Sequence, residues 1–163
     1  IFCDTTSCTH TLLFETGGDI LTPENREKYK QLKIMDITQW LKEVVLPRIK
    51  VIRPKNRILL HPTCSCQIMG LTPVLLDIAR KCAREVILPD NWGCCGASGD
   101  RGFIFPELSD SATRDERDEI GHESFDGCYS LARTCEIAMQ DHIEQPYESI
   151  VYLVDETIQD QGT

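Results

Sequence analysis

The sequence predicts an α/β protein with a mostly parallel sheet, helices on both faces of it, and cysteines on loops at the carboxyl edge of the strands. Short β-rich runs alternate with helical segments, which is typical of strand–helix–strand units. No internal repeat or low-complexity linker interrupts this pattern. A chain of 163 residues is long enough for one domain with a sizeable core and too short for two ordinary ones. We therefore expect a single domain.

Five short runs are predicted as strands because they combine apolar, β-branched and aromatic residues with flanking turn residues. Gly17 and Gly18 indicate a turn after the first of them. Because helical segments separate the runs, the strands are expected to pair in parallel. In chain order the predicted strands are residues 1–4 (IFCD), 57–61 (RILLH), 85–89 (EVILP), 125–130 (FDGCYS) and 149–156 (SIVYLVDE).

Helix starts are indicated by capping residues and by proline at the first helical position. Asp36 and Gln39 form the pattern of a capping box, and the apolar residues that follow recur at helical spacing. The segment 106–120 (PELSDSATRDERDEI) is mostly charged, so we expect it on the surface. The predicted helices begin at Thr22, Asp36 and Thr72 and cover residues 106–120 and 133–143.

Charge and composition argue against several classes of function. A net charge of −9 and a pI near 4.9 disfavour nucleic-acid binders and polybasic membrane anchors, because both need Lys and Arg against phosphate. No apolar run approaches the roughly 18 residues of a membrane-spanning helix, and no signal peptide opens the chain. Nine cysteines without the spacing of a secreted disulfide scaffold favour a reducing compartment. We expect a cytoplasmic protein.

Most of the cysteines follow predicted strands, at the edge of the sheet where parallel α/β folds place their ligands. Cys135 also lies in the first turn of a predicted helix, where the helix dipole favours a thiolate. Cys3 and Cys82 fall within a strand and on a helix face, so we expect them to pack as small apolar side chains. Cys128 lies within a strand, close to the edge. The cysteines expected at the edge itself are Cys8, Cys64, Cys66, Cys94, Cys95 and Cys135.

The segment NWGCCGASGDRG, residues 91–102, places two adjacent cysteines among four glycines. Neighbouring side chains on an extended chain point to opposite sides, so a disulfide between Cys94 and Cys95 is not expected. Glycine brings no side chain to a core, so hydrophobic packing does not explain the loop. The pattern suits thiolates around an inorganic group, with peptide N–H groups such as that of Gly96 near the sulfurs. A reduced, cysteine-rich core is the alternative.

The order HPTC (61–64), CCG (94–96) and RTC (133–135) resembles the cysteine-rich CCG domain of heterodisulfide-reductase and glycolate-oxidase iron–sulfur subunits. The likeness extends to CCGASGDRG, FPELSDSA and PYESIVYLVDET. It is closest to the C-terminal part of FAD-linked, iron–sulfur-containing D-lactate dehydrogenases. It covers most of residues 57–157 and is most specific around CCG.

The resemblance implies that residues 57–157 form one complete repeat of a motif that usually occurs twice in tandem. Residues 1–56 would include the tail of a preceding repeat, at TTSC (5–8). The sequence also begins with Ile1 in place of methionine. We therefore expect residues 1–163 to be a single CCG-type domain from the C-terminal part of a larger flavoprotein.

The same resemblance assigns thiolates to a metal group. Ala132 stands where the terminal CxxC of the family has its first cysteine, and TTSC begins with Thr5 instead of cysteine. Four thiolates remain, the usual number for a [4Fe–4S] cluster or for a tetrahedral zinc site. We expect the cluster, with zinc as the alternative. The expected ligands are Cys64, Cys94, Cys95 and Cys135, and the candidates for additional ligands are Cys8, Cys66 and Cys128.

Residues next to these ligands are candidates for supporting contacts. His61 could hydrogen-bond a cluster sulfur, although a histidine satisfied by backbone groups at a strand end is more common. Asp100 and Arg101 are expected to form a salt bridge that pins the CCG loop rather than to act in catalysis. The supporting residues are therefore His61, Gly96, Asp100 and Arg101.

We expect an electron-transfer domain of an FAD-dependent 2-hydroxy-acid dehydrogenase, with D-lactate as the substrate that the resemblance implies. The FAD would lie on an upstream domain, and electrons would pass to a quinone or cytochrome, with the parent protein peripheral on the cytoplasmic face of the membrane. Neither GxGxxG after a strand nor GxxxxGK[ST] occurs, so the chain alone is not expected to be catalytic. The alternative is a structural zinc module that docks a partner subunit. A thiol–disulfide enzyme ranks last because no CxxC motif is present.

Overall fold

A four-stranded parallel sheet forms the centre of the computed structural model, which describes residues 1–16 and 20–158. The strand order is β4-β3-β5-β6, and a separate pair, β1 and β2, is also parallel. In register, Leu59 lies opposite Ile87 on one side and opposite Cys128 on the other. The strands are β1 Phe2–Cys3, β2 Met35–Asp36, β3 Lys55–Leu60, β4 Ala83–Ile87, β5 Gly127–Ser130 and β6 Tyr147–Ser149.

Nine α-helices lie in the described part of the chain, and two of them continue into other helical turns. A π-helix over Thr11–Glu15 follows the first α-helix, and a π-helix and a 3₁₀ helix over Leu41–Val45 and Leu46–Arg48 follow the third. The helices are α1 Thr6–His10, α2 Pro23–Tyr29, α3 Ile37–Trp40, α4 Cys64–Ile68, α5 Thr72–Cys82, α6 Arg101–Ile104, α7 Pro106–Ile120, α8 Arg133–Ile143 and α9 Ile150–Ile158.

Two hydrophobic clusters cover the two faces of the larger sheet. Ile58 and Leu60 of β3 pack with α3, α5 and α9 on one face. Leu59 of β3 points to the other face and packs with Cys128, Tyr147 and the inner sides of α7 and α8. This alternation follows from the period of two along a strand. The predicted fold class, a parallel sheet with helices on both faces, is confirmed.

The predicted helix boundaries hold where capping residues and proline indicate them. The Thr22 hydroxyl accepts a hydrogen bond from the Asn25 N–H at 3.4 Å. The Asp36 carboxylate accepts one from the Thr38 N–H at 2.9 Å, and the Asp36 N–H donates to the Gln39 side chain at 3.3 Å. Helices α7 and α8 cover the predicted ranges. The turn predicted at Gly17 and Gly18 lies outside the described residues.

The prediction of a final strand over residues 149–156 is wrong. The last strand, β6, ends at Ser149, and α9 begins at the next residue. The buried residues Ile150, Leu153 and Val154 recur at the spacing of one helix face, and they pack in the cluster that contains α5. Burial of this stripe outweighs the β propensity of the Ile, Val and Tyr residues in the segment.

No α-helix in the described ranges combines the length and the apolar character needed to cross a membrane.

Candidate metal centre

One cleft at the carboxyl edge of the larger sheet is lined by cysteines from four separate segments. Cys8 comes from α1, Cys64 from the start of α4, and Cys135 from the first turn of α8. Cys94 and Cys95 lie on the loop after β4. The cleft has a volume of about 470 Å³. The structure therefore brings together five of the six cysteines that were expected at this edge.

Four of these thiols are electrostatic neighbours in the order Cys64, Cys94, Cys95 and Cys135, and these four are called the row below. The Cys95 thiol donates to the Cys135 sulfur at 3.0 Å. The backbone N–H of Gly96 donates to the Cys94 sulfur at 3.4 Å, as expected for a loop that surrounds the sulfurs with peptide groups. Cys64 and Cys94 are exposed at one end of the row, whereas Cys95 and Cys135 are buried at the other.

The surroundings of the row disfavour negative charge on three of its thiols, those of Cys64, Cys94 and Cys95. Burial, followed by the neighbouring Cys94, raises the pKa of the Cys64 thiol. Interaction with the neighbouring Cys95 thiol, followed by burial, raises the pKa of Cys94. The hydrogen bond with Cys135 contributes most to raising the pKa of Cys95 to about 12. Several thiolates can therefore coexist here only with a cation that compensates their charge, and binding of that cation releases protons.

The donor set fits a thiolate-bound group in its chemistry. Four sulfurs from three segments that follow strands of one sheet match the ligand number of an iron–sulfur cluster or of a zinc ion. Within residues 1–16 and 20–158, however, no three His, Cys, Asp or Glu side chains already surround a single ion position. An individual ion held by three or more of these sulfurs would therefore require the side chains to rearrange.

Two of the candidates for additional ligands lie in the core instead of the cleft. Cys66 is fully buried with its sulfur 3.9 Å from the Thr72 hydroxyl, because a step of two residues along α4 turns it to the face opposite Cys64. The prediction that Cys66 lies at the edge of the sheet is therefore wrong. Cys128 is buried on the face of β5 that packs with α8. Burial raises the pKa of both thiols to about 12.

Of the two cysteines expected to pack, Cys82 is fully buried on α5, and Cys3 of β1 is half-buried. The packing prediction is therefore confirmed for Cys82.

His61 contacts neither a cysteine sulfur nor a backbone group through its ring. Its Nδ1 lies 3.0 Å from a carboxylate oxygen of Glu116 in α7, and both side chains are buried. The backbone of His61 is also fixed, because the Ser130 hydroxyl donates to its carbonyl oxygen at 2.9 Å. The ring Nε2 has no hydrogen-bond partner among the described residues. His61 thus links the end of β3 to α7.

Sequence reasoning missed Glu116 because it lies in a charged segment that was expected on the surface. The signal that was present is the spacing of the small and polar residues within that segment. Ser109, Thr113 and Glu116 recur at helical intervals with Ile120, and all four are buried.

The CCG loop is held by close backbone packing and not by the expected salt bridge. A Cβ atom on Gly96 would lie 2.6 Å from the Leu108 carbonyl oxygen, and one on Gly102 would lie 2.8 Å from the Ala97 Cα. The Gly102 N–H also donates to the Ala97 carbonyl at 2.9 Å. Within the part of the chain that the structure describes, no ion pair joins Asp100 to Arg101, and both side chains are exposed.

Comparison of the sequence with known proteins identifies no relative. No model of a known protein family matches the chain, and no curated protein matches it.

Proposed function

We propose that this chain is an iron–sulfur electron-transfer domain of an FAD-dependent 2-hydroxy-acid dehydrogenase. One observation supports the proposal most strongly: Cys64, the adjacent pair Cys94 and Cys95, and Cys135 come from three segments far apart in sequence and line one cleft. Hydrophobic packing alone does not account for the row, because Cys64 and Cys94 are exposed.

The four thiolates would hold the cluster, which supplies one-electron transfer when bound. The chain contributes its surroundings. Burial of Cys95 and Cys135 lowers the local dielectric, and the Gly96 N–H donates to a ligand sulfur. Cys8 also lines this cleft, so it is the candidate for an additional ligand.

The proposed cofactor, substrate and electron acceptor are those that the sequence resemblance implies. FAD would lie on an upstream domain of the same polypeptide and oxidise D-lactate or a related 2-hydroxy acid. Electrons would leave toward a quinone or a cytochrome. The domain would lie in the cytoplasm, with the parent protein peripheral on the membrane.

A second candidate is a structural zinc module that docks a partner subunit. It has one observation in its favour: Phe103, Ile104 and Phe105, directly after the CCG loop, are each at least 49% exposed. Exposed apolar side chains in a contiguous group are typical of docking surfaces. Zinc is also bound by four thiolates, but it is redox-silent.

Metal analysis separates the two candidates. The chain would be purified without oxygen and reconstituted with ferrous iron and sulfide, or with zinc, and iron, zinc, acid-labile sulfide and visible absorbance would be measured. The proposal predicts about four iron and four sulfide per chain and absorbance that bleaches on reduction. A Cys3→Ser variant is the matched control and should bind the same amount. Stoichiometric zinc without iron or sulfide would favour the zinc module, and binding of neither would contradict both.

A further inference from the structure

Cys95 and Cys135 approach each other more closely than two non-bonded sulfurs normally do. Their sulfurs are 3.0 Å apart, although the residues are separated by 40 positions in the sequence. A disulfide has an S–S length of about 2.05 Å, so a shift of roughly 1 Å would join them. We propose that, in the metal-free protein, Cys95 and Cys135 form a reversible disulfide in reaction with small disulfides.

The fold favours this pair over other pairs of thiols. Cys94 and Cys95 are adjacent, and neighbouring side chains diverge along an extended chain. The sulfur of Cys66 contacts the Thr72 hydroxyl within the core. Cys95 and Cys135 are both held in place, the former by a loop packed against α7 and the latter by the first turn of α8. Their contact is therefore fixed by the backbone.

The reaction requires a path for the oxidant and a balanced exchange. Both cysteines line the cleft, and Cys135, which is 8% exposed against 4% for Cys95, is the more accessible of the two to a small disulfide. One thiolate attacks the small disulfide, forms a mixed disulfide and releases the first small thiol. The second cysteine attacks the protein sulfur of that mixed disulfide and releases the other small thiol. Two protein thiols are oxidised to one disulfide, and one small disulfide is reduced to two thiols.

The disulfide has a consequence for metal binding. It removes two of the four thiolates of the row, and a disulfide sulfur is not a thiolate ligand. The oxidised chain should therefore take up neither iron nor zinc until it is reduced. The disulfide itself rests on the geometry of the two thiols, whereas its effect on metal uptake rests on the proposed four-thiol site, so either can fail without the other.

Peptide mapping of the full 163-residue chain tests the inference directly. The metal-free, reduced protein would be treated with oxidised glutathione, alkylated at its remaining thiols and digested with trypsin. Cys95 then lies in peptide 85–101 and Cys135 in peptide 134–163, which contains no other cysteine. We expect these two peptides to be linked, with Cys94 alkylated, and the link to disappear on reduction.

The matched variants are Cys94→Ser, which should keep the link, and Cys95→Ser, which should lose it. Peptides 85–101 and 134–163 recovered unlinked from oxidised wild-type protein, with Cys95 and Cys135 alkylated or carrying glutathione, would overturn the inference. A link from Cys94 to Cys135 would do the same. The wild-type map needs no variant, so a variant that fails to fold does not affect this result. Undiminished metal uptake by the linked protein would contradict the predicted competition.

Discussion

At the scale of single residues, Cys128 and Cys66 differ from the cysteines of the row because they do not line the cleft. Cys128 is 2% exposed in the cluster between the sheet and α8, and Cys66 is fully buried in the opposite cluster. Burial raises the pKa of both thiols to about 12. Each therefore remains neutral in the folded protein at pH values where an unfolded chain would ionise it.

The raised pKa of Cys128 predicts a loss of stability at alkaline pH. An unfolded thiol ionises near pH 8.5, so the contribution of Cys128 is complete below that pH and is lost as the pH rises toward about 12. The slope is about 1.4 kcal/mol per pH unit for one thiol. Between about pH 8.5 and pH 10, wild-type protein should thus lose about 2 kcal/mol more than Cys128→Ala. Urea unfolding of the reduced, metal-free proteins measures this, and parallel losses would refute the assignment.

The buried pair of Glu116 and His61 carries a second prediction at this scale. Truncating one member leaves the other buried without its partner, which typically costs about 3–5 kcal/mol. Glu116→Ala should therefore lower the free energy of unfolding by that amount. Asp118→Ala, an exposed carboxylate on the same helix, should change it by less than about 0.5 kcal/mol. Denaturant unfolding compares the two, and equal small effects would show that the pair is not a structural link.

At the scale of elements, the CCG loop and the start of α7 form one packed unit. Gly96 has a φ of +74° and no room for a Cβ beside Leu108 and Ser109. Gly99 has nearly the same φ, +75°, but open space around it. Comparing substitutions at these two positions therefore distinguishes the cost of backbone strain from the cost of steric crowding.

Alanine at these two positions should have unequal effects. Both substitutions incur the left-handed strain of roughly 1–2 kcal/mol, and Gly96→Ala adds an overpacking cost of about 1–3 kcal/mol. Gly96→Ala should also displace the cysteines next to it and reduce iron uptake, whereas Gly99→Ala should retain it. Thermal unfolding and iron content of both variants check this. If Gly99→Ala proved as damaging as Gly96→Ala, the close packing against α7 would not be what holds the loop.

How much the sequence predicts depends on whether a local signal or a tertiary contact decides an element. Helix α3 begins at its capping box, and the charged segment from Pro106 to Ile120 is helical because its own spacing is helical. The apolar run after Ser149 satisfies both strand and helix patterns, and only its packing near α5 decides between them.

The same distinction between local sequence signals and tertiary contacts applies to the cysteine cleft. The meeting of Cys64, Cys94, Cys95 and Cys135 could be predicted because strand ends of a parallel sheet share an edge. Cys66 could not be separated from Cys64 because the short helix α4 has no strong sequence signal. The pairing of His61 with Glu116 joins positions 55 residues apart, and no local pattern encodes it.

At the scale of the whole molecule, the acidic chain carries a thiol cleft but no sequence motif for a dinucleotide. Flavin and nicotinamide cofactors carry the chemistry of hydride transfer, so the chain alone should not oxidise D-lactate. Purified, cluster-reconstituted chain would be assayed with D-lactate and an artificial electron acceptor, before and after addition of free FAD. Turnover that depends on this chain in either assay would contradict the proposal that another domain oxidises the substrate.

The most direct test of the four-thiol centre is the iron content of a matched cysteine series after anaerobic reconstitution. Cys95→Ser and Cys135→Ser each remove one buried thiolate of the row, and a neutral hydroxyl does not replace it. Cys128→Ala removes a thiol of similar burial from the same hydrophobic cluster but not from the cleft. Both row variants should lose or convert the iron–sulfur absorbance, and Cys128→Ala should match wild type. Unchanged iron and sulfide in both Cys95→Ser and Cys135→Ser would contradict the assignment.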